Sequence, residues 1–327
     1  GRRLDEVAGG AVLKHTRDFN LTREAVLGSA LHPTTAAVDL QQACATGLET
    51  VIYVANKISL GQADVGVGCG VDSASDAPIV VSEPLRRALL AANRARTLPQ
   101  RLAALAAIRP GQLAPVAPAV VEPRTGLSMG EHQAKTAKAW GISREAQDEL
   151  SFASHQNLAA AWANGFFDDL VTPYLGVTRD TILRPDTTLE KLAALKPVFG
   201  DTMTAGNSTA LTDGASAVLV ADADWAAAEG LPALAKIVDA QVAAVDFPGG
   251  DDLLLAPAHA AARLLDRLGM SLGDFELYEL HEAFASTVLA TLAAWESAEF
   301  CRDQLGLAGP LGSIERDKIN VSGSSLA

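Results

Sequence analysis

Cys44 is the residue in this chain best placed for covalent chemistry. It follows Ala36 to Leu40, a short strand-like apolar stretch, in the run Gln41-Gln42-Ala43-Cys44-Ala45-Thr46-Gly47-Leu48. Leu48, Val51, Ile52, Ala55 and Ile58 recur at helical spacing, predicting a helix from about Ala43 to Leu60. A thiol in the first turn of that helix faces unpaired amides and the positive end of the dipole, which favour thiolate over thiol. Gly47, with alanines at 43 and 45, leaves room for a ligand to approach the sulfur. The other reading of Cys44 alone is a small buried hydrophobe, since free cysteines are usually buried and inert. Cys69 falls inside an apolar run and reads as packing. The three cysteines, with Cys301, are an odd, scattered set without metal-type spacing, which makes a reduced, cytoplasmic setting the default.

Two other chemical signals fail on context. His281-Glu282 begins like a zinc-protease helix, but no histidine follows at the required spacing. Gly66-Val67-Gly68-Cys69-Gly70 suggests a dinucleotide loop, yet it lies within a strand pattern and runs into Asp72-Ser73-Ala74-Ser75 rather than a helix. Those glycines read as close backbone packing. The 327 residues are 49% hydrophobic and 20% charged, ample for a large core or two smaller ones. No apolar run approaches the ~20 residues that span a bilayer, and the opening residues carry no secretory pattern. A net charge of −13 argues against a nucleic-acid-coating surface without excluding an anionic small ligand.

The elements that must position Cys44 alternate between strand and helix. Val7 to Leu13 is apolar, Thr22 to Leu31 helical, Ala36 to Leu40 extended, and Val65 to Val71 a short buried run. This pattern predicts an α/β fold with a mostly parallel sheet. From about 76 to 202 strand signals are sparse, and helices are expected at Glu83 to Arg96, Gln100 to Ile108, Gly130 to Trp140 and Ser143 to Asn164, the last with a serine N-cap. A strand resumes at Gly214 to Val220. Strands at Ala235 to Val238 and Phe275 to Leu280 and helices at Pro257 to Leu268 and Glu282 to Trp295 follow, and Ile319 to Val321 reads as a final strand. Between Glu83 and Arg109 six arginines (86, 87, 94, 96, 101 and 109) face one acid. This basic island suits the phosphates of an anionic ligand, a membrane surface or an acidic partner subunit, or is simply a solvated helix face.

Three segments together resemble the thiolase family of acyl-CoA acyltransferases. They are Gln42-Ala43-Cys44-Ala45-Thr46-Gly47-Leu48, similar to the nucleophile motif; Thr204-Ala205-Gly206-Asn207-Ser208-Thr209 through Asp213-Gly214-Ala215, similar to a TAGN…DGA segment; and Glu279-Leu280-His281-Glu282-Ala283-Phe284-Ala285, similar to NEAFA with histidine for asparagine. The histidine variant looks most like the β-subunits of trifunctional fatty-acid-oxidation enzymes. The resemblance implies a thiolase-like α/β fold: two duplicated βαβαβ-type halves in an α/β/α layering plus a largely helical loop domain. The halves would be 1–75 with 203–222 and 223–327, and the loop domain 76–202 would cap the Cys44 pocket.

It further implies a degradative 3-ketoacyl-CoA thiolase of β-oxidation, with Cys44 carrying the acyl group as a thioester. Biosynthetic condensation of acetyl-CoA and non-catalytic acyl-CoA binding are the alternatives. His281 would serve an oxyanion site for the enolate, directly or through a water. Ser208, Thr209 and Met129 would face substrate or CoA; read alone, the first two are equally loop hydrogen-bonders and Met129 a core filler. No cofactor is expected beyond CoA as substrate. Expected partners are a second copy in a homodimer or homotetramer, a hydratase/dehydrogenase subunit and, more weakly, a membrane surface. The family's C-terminal GHP and CxG motifs, which supply a catalytic histidine and a second cysteine, do not occur here. The resemblance therefore implies that these residues belong to a longer enzyme, shortened at both ends.

Overall fold

In chain order the apolar runs become β1 (Glu6–Gly10), α1 (Leu21–Gly28), β2 (Ala36–Leu40), α2 (Thr46–Ser59), β3 (Val65–Asp72), β4 (Val80–Val81), α3 (Glu83–Arg94), α4 (Leu98–Ala106) and β5 (Pro115–Val116). Next come α5 (Met129–Ala139), α6 (Arg144–Ala163), α7 (Leu189–Ala193), β6 (Pro197–Phe199), β7 (Met203–Thr204), β8 (Gly214–Ala221) and α8 (Ala223–Ala228). The chain closes with α9 (Ala256–Leu268), α10 (Ala285–Glu296) and α11 (Ala298–Asp303). This is a computed structural model that describes residues 4–250 and 252–327. Packing divides the chain into two units, Gly1–Ala119 with Leu211–Val238, and Val120–Ala210 with Asp239–Ala327. The helices of residues 76–202 divide with them, α3 and α4 in the first unit and α5 to α7 in the second.

The first unit is built on a four-stranded sheet of order β2-β1-β3-β8, in which β1 runs parallel to β2 and β3 while β8 is antiparallel to β3. Val7 and Val65 from the sheet, Val26 of α1, and Leu4 just ahead of β1 form its buried core. The glycines of β3 let α2 lie against the sheet backbone. A Cβ on Gly68 would sit 2.7 Å from the Val51 Cα, and one on Gly66 2.7 Å from the Glu6 carbonyl oxygen, so close packing is the role of this run. The basic island lies on α3 and α4, both started by proline-containing first turns behind Ser82 and Thr97 caps. Arg86 and Arg87 are tied to Glu83 by three hydrogen bonds, two from Arg86 and one from Arg87, which hold its carboxyl down at about 2.

The second unit is mainly helical around α10, whose Val288, Leu292 and Trp295 pack with Ala258 and Leu265 of α9 and with Leu272, Ile314 and Ile319. Ser143 caps α6 by accepting from the Ala146 amide at 3.1 Å, as its sequence predicts. Three expected strands, Ala235–Val238, Phe275–Leu280 and Ile319–Val321, are absent among the described residues. Ala235–Val238 is exposed and unpaired among the described residues, with Val238 73% accessible. Phe275–Leu280 is extended, but its one sheet-like contact with Ile319–Val321 is an isolated parallel bridge, Tyr278 to Ile319. An apolar run becomes a strand only where a ladder partner takes up its amides and carbonyls along its length. Here the Tyr278 amide donates to the Lys318 carbonyl and the Tyr278 carbonyl accepts from the Asn320 amide, each at 2.9 Å, and the pairing goes no further.

Candidate functional site

Cys44 stands on a tight turn where β2 hands over to α2. The expected helix start at Ala43 is corrected: Ala43 takes a left-handed φ of 46° and α2 begins at Thr46, so Cys44 precedes the N-cap Ala45 instead of occupying the first turn. Thr46 locks the turn, its Oγ1 accepting from the Gln42 amide at 2.8 Å and donating to the Ala43 carbonyl at 2.7 Å. The Ala45 amide donates to the Gln42 carbonyl at 3.0 Å. A left-handed conformation at a residue with a Cβ is unfavourable by roughly 1–2 kcal/mol, so the surrounding bonds must over-determine it. No side chain caps α2, which leaves its first-turn amides unclaimed by side chains beside the thiol.

Cys44 is exposed, Cys69 half-buried and Cys301 buried. Burial, then the nearby Asp39 charge, pushes the Cys69 thiol up, and its sulfur contacts the Ala8 carbonyl at 3.5 Å. The Cys301 sulfur is enclosed by the Ala294 and Trp295 carbonyls and the Leu311 amide. Cys44 alone of the three offers its sulfur to a ligand. No group of His, Cys, Asp or Glu able to hold a metal ion occurs among the described residues.

The other sequence-predicted residues lie in the second unit, and three of them come together there. The segment containing Asn207 is laced to the segment containing His281: the Thr209 amide donates to the Ala283 carbonyl at 3.0 Å, the Ala285 amide to the Asn207 carbonyl at 3.0 Å, and Ser208 forms an antiparallel bridge with Phe284. This pairing keeps Phe284 extended, so α10 starts at Ala285 and not at Glu282. Asn207 is fully buried; it accepts from the Thr204 amide at 2.7 Å and donates to Asp148, which Arg144 also holds. Thr209 Oγ1 donates to the Ser325 carbonyl, and Ser325 Oγ meets His281 Nδ1 at 3.1 Å. The Ser208 hydroxyl is buried with no hydrogen-bond partner among the described residues. Met129 packs in a cluster with Met203 and Phe284, beneath the same segments.

Two neighbours that the sequence did not single out as site residues organise His281. Glu282 is 2% accessible and accepts from Ser154 Oγ and Asn320 Nδ2, each at 2.7 Å, and from the Leu326 amide at 3.4 Å. Burial pushes its carboxyl above the ordinary glutamate range against those three bonds. Asn320, in a left-handed conformation at φ 49°, clamps Leu280 by accepting from its amide at 2.8 Å and donating to its carbonyl at 2.9 Å. At Leu280 this side chain takes the place of a ladder partner, while the Tyr278 amide and carbonyl bond to the backbone of Lys318 and Asn320. His281 is exposed by area, yet enough protein surrounds the ring that desolvation holds it below the usual histidine range, in the neutral form. A cavity of about 400 Å³ in the same unit is lined by Thr125, Leu127, His132, Lys135 and Phe247. His132 Nε2 meets Thr125 Oγ1 at 2.7 Å, and the ring packs edge-on against Phe247. Its position one turn after Met129 was the only sequence signal for it.

Comparison with known proteins gives this arrangement its class. The thiolase N-terminal domain family matches residues 1–224 and the thiolase C-terminal domain family residues 231–327. The chain belongs to the thiolase family. A 3-ketoacyl-CoA thiolase of Yersinia pestis (strain Pestoides F) is 41% identical over 333 residues, covering 99% of this chain and 76% of that protein. Human mitochondrial 3-ketoacyl-CoA thiolase, solved in complex with CoA, superposes with a TM-score of 0.78 at 27% identity over 99% of this chain and 75% of that one. The acetyl-CoA acetyltransferase of Bacillus anthracis superposes with a TM-score of 0.77 at 28% identity, again over 99% and 75%. The fold is thus the thiolase-like α/β fold that the motifs implied.

Proposed function

We propose that this chain is a degradative 3-ketoacyl-CoA thiolase, an acetyl-CoA C-acyltransferase in which Cys44 carries the acyl group. The observation that supports it most is the single accessible thiol on a locked turn before an uncapped helix start. The 41% identity to a 3-ketoacyl-CoA thiolase supports the substrate class. In the forward reaction the Cys44 sulfur attacks the 3-keto carbon. The bond between C2 and C3 of the substrate breaks, and acetyl-CoA departs as its enolate and takes up a proton. The thiol of free CoA then displaces the acyl group from Cys44, releasing a chain-shortened acyl-CoA and returning the sulfur. A soft sulfur nucleophile suits both halves, since it adds to the carbonyl and leaves again from a thioester.

His281 serves the enolate oxygen, as a neutral ring able to present an N–H donor. Thr209 and Ser208 frame that position, and Met129 contributes to its apolar floor. The histidine in place of asparagine aligns the chain with the trifunctional-enzyme β-subunit subgroup. It favours assembly with a hydratase/dehydrogenase subunit and with further copies of itself.

The test incubates the protein with 3-ketoacyl-CoA and CoA and follows both products by chromatography. Equimolar acetyl-CoA and chain-shortened acyl-CoA are expected, and Cys44→Ser abolishes both. Formation of acetoacetyl-CoA from acetyl-CoA, with no thiolysis of longer chains, would move the reading to the synthetic acetyltransferase.

A further inference from the structure

We propose that Ser325 is a positioning residue for His281, its hydroxyl donating to Nδ1 so that the ring proton resides on Nε2. The proposal rests on the reading of His281 as a donor to the enolate oxygen. A neutral imidazole carries one proton, and the bond made by one ring nitrogen decides which. Only with the proton on Nε2 does the ring offer an N–H on the side away from Ser325.

The geometry around Ser325 is that of a held donor. Its own carbonyl receives Thr209 Oγ1. On the preceding side, the Ser324 amide donates to Ser154 Oγ at 3.3 Å and Ser324 Oγ to the Leu280 carbonyl at 3.4 Å. On the following side, the Leu326 amide donates to Glu282. Each backbone direction out of Ser325 is therefore tied to the segment that carries His281 or to its supports. Ser325 is half-buried as a residue, and its hydroxyl meets the solvent-facing His281 ring at Nδ1, 3.1 Å away. With the proton on Nε2 the Nδ1 lone pair accepts the hydroxyl proton, and the hydroxyl oxygen stays open to solvent. With the proton on Nδ1 the bond reverses and no N–H is left on the far side of the ring.

The test labels histidine with ¹⁵N in the full chain, assigns His281 by its loss in His281→Asn, and reads the tautomer from the ring nitrogen shifts. The Nε2–H form is expected to dominate. Ser325→Ala should shift the ring towards a mixture, and Ser325→Thr, which keeps the hydroxyl, should restore it. For turnover, Ser325→Ala should lower kcat about 10-fold with KM changed less than about 2-fold, the signature of an interaction made in the transition state. In a His281→Asn background the same substitution should have no further effect. A wild-type ring protonated on Nδ1, or a tautomer unmoved by Ser325→Ala, overturns the proposal. A tautomer that shifts while kcat does not upholds the role of Ser325 and counts instead against the role given to His281.

Discussion

Removing Glu282 tests whether a buried carboxyl holds the second unit's site together. Glu282→Ala leaves three donors without their acceptor: one N–H of Asn320, the Ser154 hydroxyl and the Leu326 amide. The Ser154 hydroxyl can rotate to another acceptor, so two N–H groups stay unpaired. At roughly 1–3 kcal/mol per stranded buried donor the loss is about 2–6 kcal/mol, reduced somewhat because an ionised carboxyl no longer has to be buried. Glu282→Gln keeps the shape. Because Asn320 is fixed by its clamp on Leu280, the amide must turn its oxygen to Asn320 and its NH₂ to the Leu326 amide. One donor is stranded, for roughly 1–2 kcal/mol.

The pH dependence has a definite sign. The folded-state pKa of Glu282 lies above the ordinary 4.5, so the folded chain binds the extra proton. This contribution is fully present below 4.5 and is lost as pH rises through the raised value. The wild type should therefore exceed Glu282→Gln by more in acid than at neutral pH. Hydrogen exchange of peptides spanning residues 318–327, followed by mass spectrometry, reads the opening of this strap without requiring the two units to unfold together. Unchanged protection there in Glu282→Ala would refute the reasoning.

Gly10→Ala should disturb Cys44 from a distance: its Cβ would lie 2.3 Å from the Leu40 carbonyl oxygen and 2.4 Å from Thr46 Cγ2, both part of the turn. Overpacking of this kind is worth about 1–3 kcal/mol, measurable as a lowered denaturant midpoint, and it should alter the alkylation rate of Cys44; an unchanged midpoint and rate would show the turn to be slack. His281→Asn should retain measurable thiolysis, and His281→Ala should lose ~2–4 kcal/mol of transition-state stabilisation in kcat/KM. An asparagine variant as inactive as Cys44→Ala would make His281 the base.

The Cys44 turn was legible because its signals are local, an apolar strand followed by a helical repeat with small residues at the corner. Its left-handed Ala43 was not, since alanine is a strong helix former and only the bonds of Thr46 hold it out of the helix. The packing role of the β3 glycines could be read from their setting inside a strand. The His281 neighbourhood was legible in residue types but not in partners. Ser325 and Asn320 reach it from 44 and 40 residues away, a separation that periodicity does not encode. The same limit explains the three missing strands. Hydrophobic alternation reports that Phe275–Leu280 is extended, while the choice between a ladder and an asparagine clamp is made by residues elsewhere in the chain.

The most direct test of the account is the location of the acyl group. The protein is incubated with 3-ketoacyl-CoA in the absence of free CoA, quenched in acid, digested and mapped by mass spectrometry. An acyl thioester is expected on the peptide containing Cys44, discharged when CoA is added. An acyl group on Cys69 or Cys301, or none on Cys44 while thiolysis proceeds, would contradict it.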